Sequence, residues 1–267
     1  NLELETAFMR RFHFDITDST STQAAALAQR YPGEPLLITA AQQTTGRGRT
    51  GRPWQSPLGG AWFTVVWPTT AAPTTTAIAP LVTGLAVLET VSRFQEQFRS
   101  ENLKLETWNL KLKWPNDILL RDHKLAGILC EQHLKQSAAP HTILLGVGIN
   151  ANLETAALGE NLRRPAIALR EVCGAMVNIQ DLIETCATAI AEAMHRLERD
   201  GVDAATMQRI NAALAWRGQQ VALRRGVEQI EGILHSVDHA GRALIGDGAY
   251  EAGELEPIEI NAANDRP

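Results

Sequence analysis

The segment QTTGRGRTGRPW, residues 43–54, holds three glycines and three arginines within seven consecutive positions. It suits neither a helix nor a strand, because glycine loses much conformational freedom on folding and a core excludes charge. The flanking residues 36–41 and 60–67 are predicted strands, the second rich in aromatic and β-branched side chains. We therefore predict a mobile surface loop between two strands, whose backbone N–H groups and guanidinium groups close over an anion.

The composition is that of an ordinary globular protein. Hydrophobic residues make up 45% of the 267 residues, charged residues 21%, and the net charge is −5. This length fits one large domain and one small domain. The negative net charge does not favour binding to nucleic acid, so any binding of an anion has to depend on a local concentration of arginine. The chain has no continuous apolar run of about 18 residues and no signal peptide at its acidic start, so we expect a cytoplasmic protein that binds no membrane.

The cysteines and histidines predict neither a disulfide nor a metal site. Cys130, Cys173 and Cys186 are odd in number and widely spaced, without a C-x-x-C pair, so we expect reduced, packed thiols. His235 and His239 stand four positions apart, but the residues between them are typical of a hairpin turn. No metal ligands are assigned.

Periodicity predicts the other helices and strands before residue 217. Helical spacing of apolar residues marks residues 20–30, 78–98, 180–200 and 203–216. In the first of these, Thr20 and Gln23 fit a capping box. Strand patterns mark residues 110–114, a hairpin at residues 117–131 with its turn at 121–124, and a central strand at 142–147.

From residue 218 onward the pattern changes to short strands separated by glycine. These strands are predicted at residues 220–224, 228–237, 243–246 and 255–260. We predict a small β-barrel of about 50 residues that packs on the larger part, because so small a unit is difficult to stabilise alone. The predicted domains are residues 1–217 and 218–267.

The glycines at residues 46, 48 and 51 satisfy the pattern G-x-G-x-x-G of dinucleotide-binding folds. That pattern needs a following helix whose N-terminus receives the pyrophosphate. Pro53 and Pro57, together with Gly59 and Gly60, are incompatible with a helix here. P-loop, G-x-S-x-G and H-E-x-x-H motifs are also missing from the sequence, so these types of catalysis have no anchor.

Two further predicted strands end in polar motifs, KWPND at residues 113–117 and GVGIN at residues 146–150. Lysine and arginine would neutralise a polyphosphate, and glycine lets a ligand approach the backbone closely. Asn150 would hydrogen-bond a base or a urea-like group. Structural alternatives remain open for Lys113 as part of a solvated strand face and for Asp117 as a turn residue. Residues 19–20 likewise have an alternative as helix caps.

In this combination the chain resembles the biotin protein ligases. Five motifs occur in the family's order, Ser19-Thr20 before a helix, residues 43–54, residues 113–117, KLAGIL at residues 124–129, and residues 146–150. The small barrel predicted after residues 216–218 resembles the family's small C-terminal domain. The resemblance implies an α+β fold, in which a mixed, largely antiparallel sheet flanked by helices, similar to class II synthetases, is followed by a small C-terminal β-barrel.

The resemblance also implies a reaction in two steps. ATP with Mg²⁺ converts biotin to biotinyl-5′-AMP and pyrophosphate, and biotin is then transferred to a lysine of a biotin carboxyl carrier protein. Biotin's own carboxylate attacks the α-phosphate, which agrees with the missing nucleophile motifs. The task of such an enzyme is to position two anions, neutralise their charge and keep water from the adenylate.

Carried over position by position, the resemblance assigns three overlapping sets of residues. The catalytic set is Lys113, Arg47, Arg49 and Asp117. The biotin-binding set is Ser19, Thr20, Gln43, Gly46, Arg47, Lys113, Gly127, Gly146 and Gly148. The ATP- and adenylate-binding set is Arg47, Arg49, Arg52, Trp54, Lys113, Asn116 and Asn150. For Asp117, magnesium binding and orientation of the acceptor amine stay open.

Other functions stay open at this point. A lipoate or octanoate ligase or transferase has a related fold, although the Gly-Arg loop argues against it. A non-catalytic biotin sensor would bind biotin without transferring it. A nucleic-acid binder would use the Gly-Arg segment, against the net charge and without interleaved aromatic residues.

Three expectations concern positions that differ from the family pattern, DNA binding and oligomeric state. Ser21 stands where the family often has asparagine and Thr50 where it often has arginine, which we expect to affect loop kinetics more than specificity. Few residues precede Asp18, so we expect no helix-turn-helix domain and no DNA binding. A homodimer would form through a sheet edge near the hairpin at residues 117–131.

Overall fold

A computed structural model describes residues 9–97, 108–133, 140–158 and 162–258. Its strands and helices are, in chain order, β1 (Arg10–Thr17), α1 (Thr20–Arg30), β2 (Leu36–Gln43), β3 (Ala61–Thr69), α2 (Pro73–Thr76), α3 (Ala79–Gln97), β4 (Leu110–Lys113), β5 (Asp117–Leu120), β6 (His123–His133), β7 (His141–Ile149), α4 (Leu169–Cys173), α5 (Ile179–Asp200), α6 (Ala204–Ala213), β8 (Gln220–Arg225), β9 (Glu228–Val237), β10 (Ala243–Ile245), β11 (Gly248–Tyr250) and β12 (Glu254–Pro257). Short 3-10 helices occupy Arg49–Gly51 and Thr155–Leu158.

The larger sheet has the strand order β1-β2-β3-β7-β6-β5-β4. Within the described strands, β1 and β2 pair in parallel and the other neighbours are antiparallel. The predicted α+β fold with a mixed, largely antiparallel sheet is therefore confirmed. The central strands β3 and β7 are buried along almost their whole length, as their apolar runs predict.

Helices cover both faces of this sheet, and strand alternation decides which side chains they meet. On one face, Leu36 and Ile38 pack with Ala24 of α1. On the other face, Leu37 belongs to the main core, which also includes residues of α3 and α5. The polar ends of the sheet strands are thus left free to line a site.

The stretch Pro73–Gln95 is long and apolar enough to cross a membrane by length and composition. It is not a continuous apolar run, because Thr83, Glu89 and Thr90 interrupt it. Of the most apolar part of this stretch, 72% is buried inside the protein. A helix that is mostly buried in this way is apolar because it lies in the core.

The N-terminal region differs from the prediction at β1 and at the start of α1. Strand β1 was not predicted, although its apolar residues Phe12, Phe14 and Ile16 alternate with polar ones. Helix α1 begins one residue earlier than the capping box implied. Ser19 is the N-cap, accepting a hydrogen bond from Ser21 N, and the Gln23 amide donates to Asp18 instead.

The hairpin of β5 and β6 lies inside the sheet. Its turn consists of Arg121 and Asp122, both at positive φ, as in a two-residue type I′ turn, so it is shorter than predicted. The sheet edges are instead β1 and β4, and Leu112 of β4 accepts a hydrogen bond from Ala215 N. Strand β4, next to β5, is thus the edge near this hairpin among the described strands, and the homodimer itself stays a prediction.

The C-terminal strands form a five-stranded sheet in the order β11-β10-β9-β8-β12. Strand β11 was not predicted, and β12 begins one residue before its predicted start. Between residues 218 and 258 the end strands β11 and β12 have no pairing with each other, so closure into a barrel is not seen there. Buried residues of this sheet share the main core, and Trp114 Nε1 donates to Gly241 O, so the sheet packs on the larger part as expected.

Candidate active site

A cavity of about 380 Å³ lies beside the loop 43–54. Its walls come from the start of α1, the loop, the ends of β4 to β7, residues 162–166 and β12. The predicted site residues that line it are Ser19, Thr20, Gln43, Arg47, Arg49, Arg52, Trp54, Lys113, Asn116, Asp117, Gly127, Gly146, Gly148 and Asn150. Five separate motifs therefore meet in one cavity.

Gly46 is the predicted residue that does not line the cavity. It is buried within the loop, where its carbonyl accepts a hydrogen bond from Trp54 N. A Cβ at this position would overlap the Trp54 carbonyl oxygen and approach Ser56 Oγ to 2.7 Å. Gly46 thus lets the two arms of the loop pack together, and its assignment to direct contact with biotin is not supported by its position.

Trp54 lies against two glycines of neighbouring strands. Gly127 of β6 and Gly148 of β7 are directly paired. A Cβ on Gly148 would lie 2.6 Å from Trp54 Nε1, and a Cβ on Gly127 would lie 2.9 Å from the same ring. We call Trp54, Lys113 and the glycines at positions 127, 146 and 148 the floor of the cavity. Only glycine permits this close approach of an indole to the sheet.

One end of the cavity carries a network of small polar side chains. Gln43 Oε1 accepts hydrogen bonds from Thr20 N at 2.8 Å and from Thr20 Oγ1 at 3.1 Å. Gln43 Nε2 donates to Ser56 Oγ at 2.6 Å, and Thr64 Oγ1 donates to Thr20 Oγ1. The orientation of Gln43 is therefore fixed before any ligand arrives. Ser56 and Thr64 were not predicted.

Lys113 is buried and fully paired. Its side chain is 4% exposed, and its Nζ lies 3.0 Å from Glu254 Oε1 and 3.3 Å from Glu256 Oε1. The alternative of a solvated strand face is therefore wrong. Burial alone would raise the pKa of Glu254, but the charge of Lys113 and the hydrogen bond from Arg52 outweigh it and lower that pKa to about 2.

The arginines of the loop differ in their exposure. Arg47 donates to Glu131 at 2.6 Å and Arg52 donates to Glu254 at 2.7 Å, both from half-exposed side chains. Arg49 is partly buried and donates to Asn116 Oδ1 at 3.1 Å. Burial lowers the pKa of Arg49, while the carboxylates of Glu254 and Asp117 oppose that shift. We call Arg47, Arg52 and Arg163, with their acidic partners, the rim.

Asp117 and Lys124 form an ion pair at the cavity wall. Asp117 Oδ1 lies 2.8 Å from Lys124 Nζ, which also lies 4.9 Å above the Trp54 ring. Asp117 therefore binds a cation at the cavity wall, in addition to being the first residue of β5. Asn150 Nδ2 donates to the carbonyls of Lys124 and Ile167, so only its Oδ1 is left for a ligand.

Several residues that line the cavity were not identified from the sequence. They are chiefly Lys124, Arg163, Arg164, Glu254 and Glu256. Lys124 begins the KLAGIL motif and could have been found there. The others lie far along the chain, in segments without a recognised motif, so that only the fold brings them to the cavity.

The described residues contain no group of three or more His, Cys, Asp or Glu side chains that could hold a metal ion. The three cysteines are free thiols. Burial raises the pKa of Cys130 and of Cys186 to about 12 and that of Cys173 to about 11, so all three stay protonated at neutral pH. The cavity therefore offers positioned cations, amides and hydroxyls, without a thiolate nucleophile.

A mixed sheet and a cation-rich cavity with a glycine floor are suited to the binding of anionic ligands. Residues 13–150 match the model of the Biotin/lipoate A/B protein ligase family. This match covers about half of the chain and all five motifs, and the chain belongs to this family.

Three individual biotin ligases show how similar this chain is to known members of the family. The biotin–[acetyl-CoA-carboxylase] ligase of Paracoccus denitrificans is 28% identical over 231 residues, which are 86% of this chain and 91% of that protein. The bifunctional ligase/repressor BirA of Bacillus subtilis is 28% identical over 184 residues, and the match spans only 53% of its length. The biotin protein ligase of Aquifex aeolicus in complex with biotin and ATP superimposes with a TM-score of 0.73 at 25% identity, covering 93% of this chain and 98% of that chain. These similarities support ATP-dependent biotin ligation.

Proposed function

We propose that this protein is a biotin protein ligase, which forms biotinyl-5′-AMP from biotin and ATP and transfers biotin to a lysine of a biotin carboxyl carrier protein in the cytoplasm. The observation that carries the proposal is the meeting of Lys113, the arginine loop and the glycine floor in one cavity. Of the described lining residues, Arg47, Arg49, Arg52, Lys113, Lys124, Arg163 and Arg164 are cationic, against the acidic Asp117, Glu254 and Glu256. Such an excess of positive charge fits a carboxylate and a polyphosphate.

We assign the ureido ring of biotin to the polar end of the cavity. Ser19, Thr20 and Gln43 lie there, and Gly146 gives space, since a Cβ on it would lie 2.9 Å from Ser21 Oγ. A cyclic urea needs both donors and acceptors in fixed positions, and the Thr20–Gln43 network supplies them. We assign Gly127 and Gly148 to biotin as well, since both line the same cavity, with Trp54 packed against them.

In the first step we assign Lys113 to the biotin carboxylate and the α-phosphate. Arg47, Arg49 and Arg52 hold the phosphates, and Trp54 with Asn116 and Asn150 borders the nucleotide. The barrier is electrostatic, because an anion attacks an anion, and oriented cations in a site with little water lower it. The loop 43–54 then excludes water from the mixed anhydride.

In the second step the acceptor lysine, as a neutral amine, attacks the acyl carbon of biotinyl-5′-AMP, so that an amide bond forms, AMP leaves and the departing phosphate or a base takes the proton. We assign Asp117 to the orientation of this amine, because its carboxylate already holds the ammonium group of Lys124 at 2.8 Å. Mg²⁺ would bind through the nucleotide phosphates, since the carboxylates in the cavity are paired with cations. No step is assigned to the metal.

Labelling of a purified carrier domain tests the whole proposal. The chain, biotin, ATP and magnesium should together increase the mass of the carrier by one biotinyl group, and omission of any one should abolish the increase. Biotin binding without a mass increase would indicate a sensor. Pyrophosphate exchange into ATP that depends on lipoate and not on biotin would favour the lipoate or octanoate alternative.

A further inference from the structure

Two carboxylates of the C-terminal sheet lie beside Lys113. Glu254 and Glu256 are separated by one residue on β12, so their side chains leave the same face of the strand, while Leu255 between them is buried in the core. Each places its Oε1 within 3.3 Å of Lys113 Nζ. Strand alternation therefore directs two negative charges onto one buried ammonium group.

The second oxygen of each carboxylate binds an arginine from a different loop. Glu254 Oε2 accepts from Arg52 of the loop 43–54 at 2.7 Å. Glu256 Oε2 accepts from Arg164, whose guanidinium also donates to Asp122 O and stacks on the Trp216 ring. Both loops beside the cavity are thus connected to Lys113 through β12.

We propose that Glu254 and Glu256 are intramolecular counter-anions that weaken the binding of phosphate groups in this site. The proposal rests on the proposed function, because it concerns the cations assigned to the nucleotide. A phosphate that reaches Lys113 has to displace at least one carboxylate, and the other repels it from a few ångströms away. The same competition helps pyrophosphate to leave after the first step.

The counter-anions also explain how a buried lysine is maintained without substrate. An unpaired ammonium group in this position would carry a large desolvation penalty. The carboxylates compensate that charge in the empty protein, and substrate anions compensate it during the reaction. Affinity for phosphates is therefore lower than the cations alone would give.

Calorimetric titration with inorganic pyrophosphate tests this proposal in the full-length protein. Glu256→Gln and Glu254→Gln keep the side-chain shape and remove one charge each, and Glu228→Gln on the same sheet is the matched control, since Glu228 does not line the cavity. We expect each cavity variant to bind pyrophosphate roughly tenfold more tightly and to show a lower KM for ATP. The control should equal the unmodified protein.

Uncharged biotinamide serves as the second ligand, and its affinity should be the same in all four proteins. An unchanged or weaker affinity for pyrophosphate in a cavity variant that still binds biotinamide would overturn the proposal. If one of the two cavity variants does not fold, the other variant tests the proposal, because the same increase in pyrophosphate affinity is expected of both. If the unmodified protein binds neither biotinamide nor ATP, the proposed function fails instead.

Discussion

The floor and the rim of the cavity are built in different ways. The floor depends on backbone geometry and burial, with Trp54 against Gly127 and Gly148 and with Lys113 at 4% exposure. The rim depends on ion pairs of half-exposed arginines, such as Arg47 with Glu131. Buried geometry is insensitive to salt and intolerant of added atoms, whereas exposed ion pairs are screened and contribute little stability. We therefore expect larger effects from substitutions in the floor than from substitutions in the rim.

The largest effect is expected at Lys113. Lys113→Ala should lower adenylate formation by a factor of about 100 or more, because a positioned cation at the reacting atoms is lost. Biotin binding should persist, since the polar end of the cavity is unchanged. Pyrophosphate exchange and biotin titration measure the two properties.

Lys111→Ala is the control for this variant, because Lys111 lies on the same strand and does not line the cavity. It should keep full activity. Loss of the circular dichroism spectrum in Lys113→Ala would instead favour a purely structural role for Lys113.

A smaller effect is expected from adding one carbon to the floor. Gly148→Ala should lower the free energy of unfolding by about 1–3 kcal/mol, since the new Cβ would lie 2.6 Å from Trp54 Nε1. In a Trp54→Phe background the same change should cost less, because the five-membered part of the ring is gone. Urea unfolding of the four proteins measures this coupling, and strictly additive losses would show that the ring is not the obstacle.

The contribution of Glu254 to stability should depend on pH. Its pKa in the folded protein is about 2, below its ordinary value of 4.5, so its contribution is present above pH 4.5 and is lost as the pH falls toward 2. We expect Glu254→Gln to be less stable than the unmodified protein by about 1–2 kcal/mol at pH 6, allowing for solvent screening. The difference should shrink as the pH is lowered.

Urea unfolding between pH 3 and pH 6 checks this expectation, with Glu228→Gln as the control that shows no such trend. A difference between the two proteins that grows on acidification would contradict the assigned ion pairs.

The smallest effect is expected at the rim. Arg47→Gln should change the free energy of unfolding by less than about 1 kcal/mol, and 1 M salt should reduce the difference further, because the pair with Glu131 is exposed. A loss above about 2 kcal/mol would place Arg47 with the floor instead. Urea unfolding of Arg47→Gln and of the unmodified protein, each at low salt and in 1 M salt, measures this difference.

The sequence predicts those parts of the molecule that local residue patterns encode. The apolar runs of β3 and β7 and the Gly-Arg loop between strands were predicted, because side-chain period and turn chemistry are local properties. Strand β1 carries a local signal of the same kind, the alternation of Phe12, Phe14 and Ile16 with polar residues, and this signal was overlooked. Glu254 and Glu256 were missed for a different reason, since no residue pattern near them in the sequence indicates contact with Lys113.

The pairing of Lys113 with Glu254 has a consequence for biosynthesis. The two residues are 141 positions apart in the chain. On the ribosome, Lys113 emerges long before its counter-charges, and the cavity wall is complete only after β12 has paired with β8. The wall of this cavity can therefore be completed only after most of the chain has been made, and Lys113 lacks its counter-charges until then.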